Sequence, residues 1–135
     1  MSDSVPDDVE MLIADAPVMA HLATCVDGRP HVAPVWYHYA DGTVEILTSG
    51  RKLANLRENP RVAISIQHDV EGRTEWMVTM RGTATVVEDE DAIRAAAGRI
   101  NPRYPEDAAV TAYPENVLVR IAVGSATARR YQAGP

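Results

Sequence analysis

The stretch Thr48-Ser49-Gly50-Arg51-Lys52-Leu53-Ala54-Asn55-Leu56 concentrates the residue types that could hold a ligand. A helix opening at Gly50 puts Arg51 and Lys52 in its first turn and Asn55 one turn on, while Leu53 and Leu56 share the core-facing side. Free N–H groups and the positive end of the helix dipole favour an anion at that point. Arg51 adds a bidentate fork and Lys52 a point charge, together a phosphate cradle, and Thr48 and Ser49 bring hydroxyls to the same end. The competing account is a solvated basic face, common on short surface helices. Against it, cations at a helix start oppose the dipole unless an anion offsets them. Lys52 is also the only lysine among thirteen basic residues.

A second candidate is the strand from Pro30 to Tyr39. Pro34 has no ladder donor, so the segment belongs at a sheet edge or a bulge. Free backbone groups there suit the edge of a planar, amide-like ring, and Trp36 can border such a ring. Equally, Trp36, Tyr37 and Tyr39 can be core or dimer-interface aromatics.

Other chemistries find little support. His31 and His38 differ by an odd number and face opposite sides of a regular strand, while His21 and His68 are isolated. With Cys25 the only cysteine, there is no zinc signature and no intrachain disulfide, so no metal is expected. Cys25 has no basic or helix-start neighbour to activate it. No nucleophile elbow, dinucleotide glycine fingerprint or Walker loop occurs.

The elements that must position these residues follow from periodicity and turn chemistry. Val9, Leu12, Ile13 and Ala16 recur at helical spacing, giving a first helix over Asp7–Asp15 that Pro17 ends. Strands are expected at Val18–Val26, His31–Tyr39 and Thr43–Thr48, joined by Asp27-Gly28 and Asp41-Gly42 hairpin turns. A short helix at Gly50–Asn59 precedes alternating strands at Arg61–His68 and Thr74–Val87, with a turn at Glu71-Gly72-Arg73 between them. Glu88–Ile100 reads as a helix, the proline-rich Asn101–Glu115 as a loop or broken helix, and Val117–Val123 and Thr127–Tyr131 as final strands. The expectation is one domain over residues 1–135, mainly β, a six- to seven-stranded antiparallel barrel, closed or partly closed.

At 135 residues and 46% apolar composition the chain can bury a core. A formal charge of −6 argues against a nucleic-acid partner. The acidic opening MSDSVPDDVE is unlike a secretory signal, and no apolar run approaches the roughly 18 residues of a membrane span. A cytoplasmic protein with no membrane partner is expected.

The run GRPHVAPVWYHYADGTVEILTSGRKLANLRENPRVAISI, Gly28 to Ile66, with RGTATVVED, Arg81 to Asp89, resembles the pyridoxamine 5′-phosphate oxidase-related split-barrel family, whose members bind flavin or deazaflavin. The resemblance extends from about Val18 to Ile121. It implies a split β-barrel homodimer with two cofactor sites at the subunit interface. It also implies that Arg51 and Lys52 hold the phosphate of FMN or of the deazaflavin coenzyme F-420, with Ser49 and Asn55 assisting. His31 to Trp36, including Pro34 and Val35, and Ile46 to Thr48 would line the tricyclic ring. The chain lacks the arginine-rich ending of true pyridoxamine 5′-phosphate oxidases, finishing instead in Ala128-Arg129-Arg130-Tyr131-Gln132-Ala133-Gly134-Pro135. Its short length and Pro34-Val35-Trp36 strand are more similar to the deazaflavin-dependent branch. The function implied is a reductase passing hydride to an unsaturated small molecule, with His31, His38 and Tyr37 as candidate proton donors and no assigned catalytic residue. A flavin carrier or sensor, or a haem-binding relative using His21, His31, His38 or His68, are the alternatives.

Overall fold

In the computed structural model, residues 4–104 and 115–131 are described. The elements are α1 (Asp7–Asp15), β1 (Ala20–Val26), β2 (Arg29–Val35), β3 (His38–Ala40), β4 (Thr43–Thr48), α2 (Gly50–Glu58), β5 (Arg61–Val70), β6 (Arg73–Val87), α3 (Glu90–Ile100) and β7 (Val117–Arg130), with a single 3-10 turn at Asn101–Arg103 after α3. All strand pairs are antiparallel, and the sheet order is β2-β1-β5-β6-β7-β4-β3.

That order shows how the sheet closes. Its two end strands, β2 and β3, are consecutive in the chain, and the link from Val35 to His38 reaches roughly 11 Å at most. A flat sheet of seven strands would hold its edges roughly 29 Å apart. The sheet therefore curls into a barrel, left open where β2 and β3 do not pair. This is the split barrel that the sequence suggested.

Three tight turns set the hairpins. Asp27-Gly28, Asp41-Gly42 and Glu71-Gly72 all have positive φ at both residues, the geometry that matches strand twist. Inside the barrel, Leu22, Val44, Ile46, Ile64, Ile66, Val78 and Ile121 form the main core with Val9 and Ile13 of α1 and Leu56 of α2. α3 lays Ala96, Ala97 and Ile100 outside the barrel on Leu47 and Leu118. β4 is consequently buried on both faces, every residue from Val44 to Thr48 included.

Several boundaries differ from expectation. The second strand begins at Arg29 and breaks after Val35, because Trp36 and Tyr37 leave the ladder. Tertiary contacts take over: Tyr37 N–H donates to the Tyr104 hydroxyl (3.2 Å), its carbonyl accepts from Arg103 (2.6 Å), and its hydroxyl donates to the Ile13 carbonyl (2.6 Å). The two final strands are one. Arg81 pairs with Ser125 and Gly82 with Val123, so Gly124 is an extra residue taken up as a bulge. β1 starts two residues late, at Ala20, and β5 runs on to Val70. Of the loop expected at Asn101–Glu115, residues 105–114 lie outside the described residues.

Candidate functional site

α2 is anchored along one side. Asn55 donates to the Thr24 hydroxyl (3.0 Å), Asn59 donates to the Cys25 carbonyl (2.8 Å), and Leu56 is buried in the core. These contacts lay α2 against β1 and turn its opening outward. Gly50 sits at φ 66°, a left-handed value that lets the chain swing from β4 into the helix. Ser49, at the N-cap position, makes no capping side-chain bond, and the first turn holds no acidic residue. The helix start thus presents free amide donors beside Arg51 and Lys52.

A cleft of about 600 Å³ lies between α2 and the β1–β2 hairpin. Gly50, Arg51, Ala54, Asn55 and Glu58 form one wall, and Val26, Asp27, Arg29, Pro30 and His31 form the other. Neither Arg51 nor Arg29 forms an ion pair among the described residues, although Asp27 and Glu58 line the same cleft. His31 Nδ1 is buried with no hydrogen-bond partner. Two unpaired guanidiniums and uncapped helix amides are a donor set that an anionic group satisfies, with the His31 ring on the same wall.

The expected site residues therefore divide. Arg51 and Asn55 line the cleft together, Asn55 with its amide already bonded to Thr24. Lys52, Ser49, Thr48, Pro34, Val35 and Trp36 do not line it. Thr48 is 2% exposed with an unpartnered hydroxyl, and Val35 is buried in the core. Trp36 stacks on Tyr104 (4.4 Å between ring centroids, 5° between planes), taking the packing role that competed in the sequence. Pro34 stands on the outer face of the free edge strand.

That edge is unusual in its donors. The two-residue turn makes Val26 and Arg29 a hydrogen-bonded pair, so Pro30, Val32 and Pro34 fall at positions whose nitrogens face away from β1. Two of the three are prolines. Val32 therefore carries the one N–H on that edge, between carbonyls that accept.

Other candidate groups are committed elsewhere. Tyr37 is fully buried, burial pushes its hydroxyl pKa up to about 12, and its proton goes to Ile13, so it is not a proton donor to substrate. His38 Nδ1 lies 3.5 Å from Glu45, and His68 stacks on Trp76 (5.8 Å). His21 lies on the outer sheet face, in a second depression of about 570 Å³. Among the described residues no three His, Cys, Asp or Glu side chains gather as metal ligands, and no helix is long and apolar enough to cross a membrane.

Sequence reasoning missed Arg29 and the buried carboxylate of Glu45. Arg29 directly follows the Asp27-Gly28 turn, so its place beside α2 depends on a packing that local sequence does not encode. Glu45 stands between Val44 and Ile46-Leu47 in β4, and a charge there signals a buried partner. The partners are Arg99, bidentate at 2.7 and 2.8 Å, and Arg120 at 3.3 Å.

Residues 6–130 match a family model described as pyridoxamine 5′-phosphate oxidase. No curated protein matches the chain. Among solved structures, an F-420 reductase is 25% identical with a TM-score of 0.70, over 91% of this chain and 98% of that one. An FAD-binding protein from Mesorhizobium loti is 22% identical with a TM-score of 0.73, over 95% and 96%. HutZ, a heme storage protein from Vibrio cholerae, is 18% identical with a TM-score of 0.74, over 93% and 94%.

Proposed function

The chain belongs to the pyridoxamine 5′-phosphate oxidase family, and from that membership we propose that it is an oxidoreductase using a flavin-type cofactor, FMN or the deazaflavin F-420, to reduce an unsaturated small molecule. The observation that carries this reading is the opening of α2, where uncapped amides meet Arg51 and Lys52 with no acid in the turn. Such a cofactor supplies hydride transfer at its central ring.

The chain's own residues bind and orient. Arg51, Lys52 and the first-turn amides hold the phosphate, with Ser49 beside them. The β2 edge presents the Val32 N–H between acceptor carbonyls, a pattern complementary to a ring edge that alternates carbonyl and N–H groups. Pro34 borders the ring, whereas Val35 pairs with Ala20 and spends its backbone on β1 and its side chain on the core, and Trp36 acts by holding the chain where β2 ends. Of the three candidate proton donors, His31 alone faces the cleft.

The same reading includes pairing of two copies through the outer sheet face, in a cytoplasmic setting. Val32, Ala23, Ala63, Arg81 and Ser125 form one row across five strands there, and Val32 is 64% exposed. Ala23, Ala63 and Ser125 are small enough to let a second sheet approach closely beside Arg81.

The test is to titrate apo-protein with FMN and with F-420 side by side, then mix the reduced complex anaerobically with the quinone menadione. Tight binding of either cofactor and rapid reoxidation support the oxidoreductase. Tight binding with a reoxidation rate no faster than that of free reduced cofactor makes the protein a carrier. A Soret band after haem addition, with no flavin bound, refutes both.

A further inference from the structure

The cleft beside α2 is longer than a single phosphate requires. Asn55 bonds Thr24, which pairs with His31, and Asn59 bonds Cys25 just before the turn, so the hairpin lies alongside the helix. This sets His31 abreast of the middle of α2 and Arg29 toward its end, with Arg51 at its start. Gly50 and Asn55 alone are separated by roughly 8 Å along the axis. A phosphate held at the first turn of α2 leaves the Arg29 guanidinium, which has no ion pair among the described residues, and the His31 ring beside it on the far wall unanswered.

From this we infer that Arg29 and His31 form a second anion subsite, so that the cleft takes a cofactor bearing another acidic group on an extension beyond its first phosphate. The inference rests on the reading that Arg51 and Lys52 hold that first phosphate. The wall carboxylates, Asp27 and Glu58, make the far end mixed in charge. They disfavour a loose cloud of anions and favour one group placed on the guanidinium fork, which Arg binds bidentately. Two sources carry such a group: the second phosphate of a dinucleotide flavin, or the carboxylated tail of a deazaflavin.

The experiment compares affinities of FMN, FAD and F-420 for the wild-type chain, Arg29→Gln and His31→Gln, with thermal melts confirming that each variant is folded. Arg29→Gln should weaken FAD or F-420 binding about tenfold, the worth of one charge-assisted hydrogen bond, while FMN changes less than about twofold. His31→Gln should shift the same ligand in the same direction. Which of the two long cofactors responds identifies the source. An equal loss for FMN and both longer cofactors, or no loss for any, overturns the second subsite while leaving the first phosphate site intact. Should the wild-type chain bind no cofactor, the flavin reading itself fails. The subsite then stands or falls on inorganic ions, with tripolyphosphate required to exceed phosphate in affinity and to lose that advantage in Arg29→Gln.

Discussion

Tyr37 and Glu45 show how differently a polar side chain can be used within one barrel. Tyr37 spends its hydroxyl on the Ile13 carbonyl, which ties α1 to the break between β2 and β3. Tyr37→Phe should cost about 1–2 kcal/mol of stability, measured by urea denaturation, and leave the pH profile of turnover unchanged. A lost pH limb would restore it as a proton donor. Glu45 is 7% exposed. Burial works against its charged form, yet hydrogen bonds from Arg99 and Arg120 overcome this and hold the carboxyl below the ordinary range. A carboxylate with a depressed folded pKa stabilises the fold above its unfolded value, near 4.3, and loses that contribution as pH falls through the folded value. Glu45→Gln should therefore be about 1–3 kcal/mol less stable than wild type at neutral pH. Urea midpoints should draw together as the pH falls below about 4.3; a constant gap would show that the carboxylate's charge plays no part.

At the scale of elements, β6 and β7 depend on Gly82. A Cβ there would meet the Ala122 carbonyl oxygen at 2.5 Å and Ile121 Cγ2 at 2.9 Å. The obstruction is largely backbone, so no rotamer change relieves it. Gly82→Ala should cost about 1–3 kcal/mol, read as a lowered melting temperature. Hairpins and helices were legible where local chemistry decides them. Asp-Gly pairs gave the turns, and Asp89 caps α3 by accepting from the Ala92 N–H at 2.9 Å. The break at Trp36-Tyr37 was not legible, since Tyr104 and Arg103 lie more than sixty positions away. Gly124 reads as a strand end in sequence, but the bulge it enables depends on the paired strand β6.

For the whole molecule, the closed order of strands was legible only as a class, because order depends on which distant edges meet. The start of α2 was visible in sequence as Arg51-Lys52, whereas its cleft needs the β1–β2 hairpin to supply Arg29 and His31. The outer face adds a prediction about assembly. Sedimentation should show a dimer, and Ala63→Arg, which puts a second long cation beside Arg81 and over Ala23, should give a folded monomer with weaker cofactor binding. A monomeric wild type would remove the paired-barrel assembly.

The central claim, that the start of α2 holds a cofactor phosphate, is tested most directly by titrating apo-protein with FMN and with riboflavin, which differ only in that phosphate. The cradle predicts that FMN binds at least about tenfold tighter, and that Lys52→Ala and Arg51→Gln each erase most of the difference without unfolding the chain. Equal affinity for the two, or a preference for FMN that survives both substitutions, would contradict it.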